Sequence, residues 1–183
     1  MKKEVEGKAS LNAIKKSVIQ FIKNFGADNP ERIFQEMLES KINEGKGLVI
    51  LNEEIFIAPE DLVSFATLLR DVLYLGVRVG SFKNDRFRCA YPFLNELSIF
   101  KDELNYVVLN DKAAWLFLCG RDVMRRGIVK MHTSSKTAQL YLIFNSTLEC
   151  LGYGRIADNA KKDVIIINNF DLGDFLRRER VKK

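Results

Sequence analysis

The sequence predicts an α+β fold, with an N-terminal α/β domain of helices and antiparallel hairpins followed by a C-terminal domain of short strands with flanking helices. Apolar residues follow helical and hairpin patterns up to about residue 104, and short strand-like runs with small turns follow. The 183 residues are 47% apolar and 29% charged, which is typical of a globular protein with room for two small domains. No Gly-, Ser- or Pro-rich spacer separates the two halves, so we place the boundary near Glu103 and expect the domains, 1–104 and 105–183, to pack together.

Local signals in the N-terminal half predict four helices and two hairpins. Apolar residues at helical spacing over 11–25 predict the first helix. Asn29 is a favourable N-cap for the second, and Pro30 suits its first position because the missing N–H costs nothing there. Residues 47–59 predict a hairpin, after which a third helix begins at Pro59. The side chains expected to face inward from this third helix are Leu62, Phe65, Ala66 and Leu69.

The second hairpin spans residues 77–91 and turns at residues 83–85. On its second arm the strand alternation directs Arg86 and Arg88 to one face and Phe87 to the other. We expect the rings to pack inward and the cations to face solvent. A short helix follows from Pro92.

The C-terminal half predicts a strand at 105–110 and then a helix that ends near Gly120. Trp115 and Phe117 lie in this apolar helix, and we assign both to the core. Gly127 closes a basic turn. The other predicted strands are 128–132, 139–144, 147–152 and 164–168. In a closing helix Asp171 is the expected cap, with the inward side chains Leu172, Phe175 and Leu176.

Charge is unevenly distributed along the chain. Residues 1–109 carry 15 Lys or Arg against 16 Asp or Glu, whereas residues 110–183 carry 14 against 8. The net charge of +5 therefore belongs to the C-terminal part. A basic surface of this kind indicates a polyanionic partner.

Composition excludes several classes of protein. Three cysteines, about 30 residues apart and odd in number, argue against a disulfide framework and indicate three buried thiols in a reducing cytosol. A single histidine and the lack of a C-x-x-C motif exclude a structural zinc site. No apolar run is long enough for a membrane span, and the N-terminus lacks the apolar centre of a signal peptide.

One stretch matches the dinucleotide-binding fingerprint by letter alone. Gly152, Gly154 and Ala157 spell G-x-G-x-x-A, and Asp174 follows where a ribose-binding acid is expected. Only residues 158–163 separate this stretch from the next strand, and a parallel crossover needs about a dozen residues or more. We therefore exclude the cofactor interpretation, expect no cofactor, and predict a bulge or sharp strand bend at the glycines.

No catalytic constellation emerges from the sequence. His132 has no Ser or Cys partner in a recognisable elbow. Glu53 and Glu54 occupy a hairpin tip, where exposure leaves them unactivated as acid–base groups. We therefore predict that the protein is not an enzyme.

Longer motifs carry a family resemblance. FLCGRDVMRRGI, LECLGYGRI and DLGDFLRR are similar to a PUA domain, the small RNA-binding module named after pseudouridine synthases and archaeosine transglycosylases. Together with LGVRVGSFKNDRFRCAYPFLNEL and NYVVLN, they resemble the Nip-seven ribosome-biogenesis family, and an archaeal member in particular. The resemblance runs from about Leu75 to Arg178 and is thin over residues 1–50.

The resemblance implies a C-terminal PUA-like β pseudo-barrel and a non-catalytic protein of large-subunit ribosome maturation. The implied partners are pre-rRNA with uridine-rich single strands, the pre-ribosomal particle, and the exosome or other assembly proteins at the N-terminal domain. The implied location is cytoplasmic in an archaeon and nucleolar in a eukaryote. Two alternatives remain open, namely an RNA-modifying enzyme or subunit that uses the PUA domain for targeting, and a protein-interaction adaptor whose basic face is incidental.

The resemblance also implies the RNA-contacting residues. The segment after the LGYG stretch offers Arg155, Lys161 and Lys162. The turn after the first PUA helix adds Arg121, Arg125 and Arg126. Independently of the resemblance, the mixture of basic and aromatic residues on the second hairpin offers Lys83, Arg86 and Arg88 as a secondary RNA track, although strand alternation with inward rings and solvent-facing cations is the favoured explanation of that hairpin.

Overall fold

A computed structural model describes residues 11–39, 45–66, 68–69, 72–84, 86–157, 163–174 and 177. The chain forms two compact units, the first made of residues 1–22 and 29–97 and the second of residues 23–28 and 98–183. The mixture of helices and antiparallel sheets confirms the predicted α+β class. The predicted domain limits of 1–104 and 105–183 stay a prediction.

Unit 1 begins with the helices that its local signals predict. They are α1 (Leu11–Lys23), α2 (Pro30–Phe34) with a π-type turn at Gln35–Glu39, α3 (Glu60–Ala66) and α4 (Tyr91–Leu97), the last followed by a 3-10 segment at Ser98–Glu103. The Asn29 side chain accepts a hydrogen bond from the Arg32 N–H at 3.0 Å, with Pro30 in the first turn, so the predicted cap is confirmed. The end of α1 is fixed by Gly26, whose φ of +91° suits glycine.

The sheet of unit 1 is a four-stranded antiparallel meander in the order β1-β2-β3-β4. Its strands are β1 (Lys46–Leu51), β2 (Glu54–Pro59), β3 (Val77–Lys83) and β4 (Arg86–Cys89). Phe82 and Phe87 are buried while Arg86 and Arg88 are exposed, which confirms the predicted alternation. Asp85 of the predicted turn lies outside the described residues.

Of the four residues predicted to face inward from α3, only Ala66 does. Leu62 is 39% exposed, Phe65 57% and Leu69 52%, so these three predictions are wrong. Ala66 and Val63 pack, partly buried, against a small cluster of Val49, Ala58 and Leu75. A helix of seven residues covers only a small part of the sheet, so two inward side chains complete its contact and the remaining apolar residues stay exposed.

Unit 2 is built on a six-stranded, curled sheet in the order β6-β10-β9-β8-β5-β7. Its strands are β5 (Tyr106–Leu109), β6 (Val123–Met124), β7 (Ile128–His132), β8 (Leu140–Phe144), β9 (Cys150–Ile156) and β10 (Val164–Asp171). All pairs are antiparallel except β5 with β8. Helix α5 (Asp111–Leu118) packs on this sheet through Ala114 and Phe117, which join a core of Val107, Tyr141, Ile143, Leu151 and Ile166.

Residues 23–28 belong to unit 2 because the sheet uses their backbone. The Asn105 N–H donates to the Phe25 carbonyl at 2.7 Å, and the Leu140 N–H donates to the Asn24 carbonyl at 3.0 Å. The Ser134 hydroxyl donates to the Gly26 carbonyl at 3.0 Å. This short segment therefore supplies backbone acceptors to Asn105 just before β5, to Ser134 after β7 and to Leu140 at the start of β8.

The glycines of the LGYG stretch lie inside strand β9 and face a bulge in its neighbour β10. The register between the two strands shifts between Asn168 and Phe170. A Cβ on Gly152 would come within 2.1 Å of the Phe170 carbonyl oxygen, and one on Gly154 within 2.5 Å of the Ile167 carbonyl oxygen. The glycines therefore allow the two backbones to approach at the bulge, as the sequence predicts.

We expect Gly152→Ala to lower the free energy of unfolding by about 2–5 kcal/mol, because it adds a backbone collision to the strain of a φ of +152°. Gly45→Ala is the matched control, since Gly45 has a φ of +81° but no atom within 4 Å of the added methyl group. Conformational strain alone should cost that variant about 1–2 kcal/mol. Urea titration followed by circular dichroism measures both, and equal losses would contradict the collision.

Three further predictions about unit 2 and the thiols are wrong. Trp115 is 68% exposed, although Phe117 is buried as predicted. Leu172 is 42% exposed rather than inward, while Phe175 and Leu176 lie outside the described residues. Cys89 and Cys150 are buried as predicted, but Cys119 is exposed. Burial raises the pKa of the Cys150 thiol to about 11, so this group stays protonated at neutral pH.

Candidate nucleic-acid interface

Helix α5 positions Arg121 at its C-terminal end. Gly120 adopts a φ of +82°, and its N–H donates to the Phe117 carbonyl at 2.8 Å. The Arg121 N–H donates to the Leu116 carbonyl at 3.1 Å. These two bonds form a Schellman motif, which fixes the backbone of Arg121 directly beyond the helix. The Arg121 side chain is exposed.

The 3-10 turn Arg125–Gly127 holds the other two arginines that were predicted in this region. Asn110 binds this turn to the start of α5, because its N–H donates to the Gly127 carbonyl at 3.0 Å and its Nδ2 donates to the Arg126 carbonyl at 3.3 Å. A Cβ on Gly127 would lie 2.5 Å from the Cβ of Ala113, so the turn and the helix touch closely. Both arginine side chains are exposed.

The start of strand β10 lies beside this arginine turn. The Arg125 N–H donates to the Asp163 carbonyl at 2.9 Å, and Asp163 directly follows the β9–β10 connection. Lys161 and Lys162, the predicted RNA contacts of that connection, lie outside the described residues. The described residues therefore place the arginine turn next to the point where the connection rejoins the sheet.

Arg155 occupies a different environment. It lies in β9, where it pairs with Leu140 on one side and Ile167 on the other, and its side chain is half-buried. Its N–H donates to the Asn169 Oδ1 at 3.1 Å, across the bulge of β10. Arg155 is thus a strand residue, unlike the exposed arginines of the turn.

The exposed cations around α5 have no acidic partners among the described residues. No described carboxylate lies within ion-pair distance of the four side chains of this group, Lys112, Arg121, Arg125 and Arg126. Asp111 accepts a hydrogen bond from the Ser146 hydroxyl at 2.7 Å, and Asp122 accepts one from the Asn168 N–H at 3.0 Å. We call the surface formed by these four cations the α5 cation surface. None of the four forms an ion pair with a described residue, although the exposed carboxylates of Asp111 and Asp122 are their neighbours in the chain.

Arg177 has a structural role instead. Its guanidinium donates to both carboxylate oxygens of Asp171 at 2.8 Å and to the Leu118 carbonyl at the end of α5. Asp171 is only 3% exposed and also accepts from the Asn168 Nδ2 at 3.1 Å. The hydrogen bonds that Arg177 donates to Asp171 raise the pKa of Arg177 above its usual value. Arg177 therefore caps a helix and neutralises a buried acid, whereas Arg178 and Arg180 lie outside the described residues.

The three cations of the predicted secondary track lie in unit 1. Lys83 forms an ion pair with Glu53 at 3.6 Å, across the ends of β3 and the first hairpin. Arg86 and Arg88 are exposed on β4. Their assignment to RNA binding stays a prediction.

Asn105, which the sequence does not single out, organises the loop between β7 and β8. The residue is fully buried, and its Oδ1 accepts from the Ser134 N–H at 2.7 Å and the Ser135 N–H at 3.2 Å. Its Nδ2 donates to the Ser135 carbonyl at 3.1 Å. An asparagine just before a strand resembles any turn residue in sequence, so only its burial identifies this role.

A cavity of about 210 Å³ lies in unit 1. Its walls are mostly apolar, with Lys46, Arg78 and Glu96 among the lining residues. Arg78 already forms an ion pair with Glu54. The cavity is smaller than the roughly 300–1,000 Å³ of ordinary ligand pockets, and Glu96 is the one carboxylate among its described lining residues.

The described part of the chain has neither a cluster of metal-ligating side chains nor a helix that could span a membrane. Among the described residues, no three His, Cys, Asp or Glu side chains come together in a way that could hold a metal ion. None of the described helices is both long enough and apolar enough to cross a bilayer.

Comparison with known proteins identifies the C-terminal part of the chain. Residues 105–180 match the model of the UPF0113 PUA domain. A hypothetical protein from the hyperthermophilic archaeon Pyrococcus horikoshii has a similar structure, with 19% identity over 90% of this chain and 94% of that one and a TM-score of 0.50. A conserved PUA domain protein from Thermoplasma acidophilum also has a similar structure, with 15% identity over 93% of this chain and 96% of that one and a TM-score of 0.51. At these identities the structures show a shared fold alone, and no curated protein matches the chain.

Proposed function

We propose, from the PUA domain at residues 105–180, that this protein is a non-catalytic RNA-binding factor of the Nip-seven type that acts in large-subunit ribosome maturation. PUA domains generally bind RNA, and the observation that carries the proposal is the α5 cation surface of this domain, whose four exposed cations form no ion pair with a described residue. The longer sequence resemblance, from about Leu75 to Arg178, supports the finer assignment. On this proposal the protein acts in the cytoplasm of an archaeon or the nucleolus of a eukaryote.

The mechanism is phosphate binding by fixed cations. Arg125 and Arg126 are held by backbone bonds to Asn110 and Asp163, so the polypeptide is already ordered before RNA arrives. Arginine is suited to this task because its planar guanidinium binds phosphate with two parallel hydrogen bonds and also stacks on bases. Uridine-rich single strands are the favoured ligand because their bases are unstacked and accessible.

Unit 1 supplies the contact to other proteins in this proposal. Its exposed large apolar side chains follow one stretch of the chain, namely Leu62, Phe65, Leu68, Leu69, Leu73, Tyr74 and Val77. Clustered exposed apolar side chains are typical of protein interaction sites. We assign to this stretch the contact with the pre-ribosomal particle, the exosome or another assembly protein.

The test is binding of a uridine-rich RNA over a salt series, measured by anisotropy of the labelled RNA. Arg125→Ala/Arg126→Ala should weaken binding about tenfold or more, since a hydrogen bond to a charged group contributes about 1.5–3 kcal/mol. The slope of log K against log salt should flatten by about 1.4, because each phosphate contact on single strands contributes about 0.7. An Arg155→Ala/Lys161→Ala/Lys162→Ala variant tests the β9–β10 segment in the same assay.

The control removes two exposed cations from α1, Lys16 and Lys23, and thus makes the same change in net charge. It should leave the slope almost unchanged. Equal losses in the control and the arginine variant would mean that only net charge matters. Absence of salt-dependent binding by the wild-type protein would overturn the proposal and favour a protein-interaction adaptor, the second candidate that the exposed apolar stretch of unit 1 supports.

A further inference from the structure

Trp115 is the only tryptophan of the chain, and it lies in the middle of α5 with 68% of its surface exposed. The helix does not need this side chain for packing, because Ala114 and Phe117 fill its inward face and Ala113 touches Gly127. Its neighbour Leu116 is 43% exposed as well. A large exposed aromatic side chain that no packing requirement explains is an informative feature of a surface.

The surroundings of Trp115 decide which kind of partner fits it. The cations of the α5 cation surface flank the indole from both ends of the helix, with Lys112 one turn before it and Arg121 just after the last turn. Trp115 lies three residues, or about 4.5 Å along the axis, before Leu118, the last residue of the helix. The turn of Arg125 and Arg126 contacts the helix at Ala113, about 160° around the axis from Trp115, so the cations nearest to the indole in the chain are Lys112 and Arg121. An exposed aromatic ring accompanied by cations is the combination with which proteins bind single-stranded nucleic acids.

We propose that the Trp115 indole is the stacking platform for one unpaired base of a single-stranded RNA. The flanking cations bind the phosphates on either side of that base, and this inference therefore rests on the RNA-binding function proposed above. Stacking accepts any base, so Trp115 adds affinity for a splayed base without reading its identity. A protein partner on this surface is the competing outcome, which the titrations below distinguish.

The single tryptophan makes the contact directly observable in the full chain. The first experiment titrates the protein with a uridine oligomer and with an abasic oligomer of the same length and phosphate number. Labelled versions of both follow binding by anisotropy, while indole emission and acrylamide quenching follow Trp115. We expect the uridine oligomer to quench the emission and protect the indole, and the abasic oligomer to bind without either effect. The proposal would be overturned if the uridine oligomer bound but left both the emission of Trp115 and its quenching by acrylamide unchanged.

Two substitutions separate stacking from simple apolar contact. Trp115→Leu should weaken binding of the uridine oligomer roughly tenfold. It should leave unchanged the slope of log K against log salt and the affinity for the abasic oligomer. The variant should also unfold at the same denaturant midpoint as the wild-type protein. Trp115→Phe keeps a ring and should stay within about threefold of wild type. The stacking proposal would be overturned if Trp115→Leu weakened binding of the uridine and abasic oligomers equally. It would also be overturned if a protein partner, but not RNA, protected the indole from acrylamide.

Failure of this inference is distinguishable from failure of the proposed function. If neither oligomer binds in a salt-dependent way by anisotropy, the RNA-binding function itself is wrong. If both bind, and only the response of Trp115 is missing, the function stands and the base contacts another part of the domain.

Discussion

Replacing Asp171 with alanine is expected to lower the free energy of unfolding by about 3 kcal/mol. Asp171 is buried and binds Arg177 through both carboxylate oxygens, and the same guanidinium caps the last carbonyl of α5. Breaking a buried pair by removing one partner costs about 3–5 kcal/mol because the remaining charge loses its compensation. We place the value at the lower end because the Arg177 side chain is 38% exposed and water relieves part of the loss.

The Asp171 prediction is best measured as a double-mutant cycle with Arg177→Ala in urea titrations. The two single variants should lose similar amounts, and the double variant should lose clearly less than their sum. The control is Glu36→Ala, which breaks an exposed ion pair with Arg32 and should cost less than about 1 kcal/mol. Additive effects of the two substitutions would show that the pair is not coupled.

Asn105→Ala is expected to lower the free energy of unfolding by a similar amount, about 3–4 kcal/mol. The substitution removes hydrogen bonds to the N–H groups of Ser134 and Ser135 and to the Ser135 carbonyl, all organised around a fully buried side chain. Each buried group that is left without a partner costs about 1–3 kcal/mol, and partial access of water to the serine loop limits the total.

Asn145 offers a matched control for Asn105. Its side chain also forms several hydrogen bonds, to Thr147 and Glu149, but in an exposed turn. Water replaces those bonds when the side chain is removed, so Asn145→Ala should cost only about 1 kcal/mol or less. Equal effects at the two positions would mean that burial does not determine the cost.

Local signals account for the parts of the fold that the sequence predicts correctly. The Asn29 cap, the two hairpins of unit 1 and the alternation of Phe87 with its flanking arginines each depend on a few adjacent residues. Backbone geometry decides these features over short distances, because a cap or a turn is satisfied within three or four residues. Predictions of this kind need no knowledge of the tertiary structure.

Several of the wrong predictions concern which face of a short helix is buried. Helical spacing predicts that Phe65 faces inward, and the apolar character of its helix predicts the same for Trp115, yet both are exposed. A helix of two turns has too few residues for its period to identify one face, and small residues complete the contact here, Ala66 in α3 and Ala114 in α5. Which face is buried depends on the opposing surface, which the sequence does not display.

The candidate site was predictable in composition but not in arrangement. Charge counts located the basic surface in the C-terminal part, and Arg121, Arg125 and Arg126 are exposed there as expected. The separate role of Arg177 depends on the Leu118 carbonyl, which lies 59 residues away in the chain. Arg177 and the exposed arginines look alike in sequence because only tertiary structure distinguishes a helix cap from a solvent-exposed cation.

The membership of residues 23–28 in unit 2 limits how this protein can be divided. A fragment that starts at residue 105 would lack the Phe25 and Asn24 carbonyls that accept from Asn105 and Leu140, and would leave the N–H groups at the starts of β5 and β8 without these acceptors. Such a fragment should aggregate or exchange its amide protons more rapidly than the same residues in the full chain. The PUA domain of this chain is therefore not a portable module in the usual sense, and grafting it onto another protein requires a discontinuous design that restores the missing acceptors.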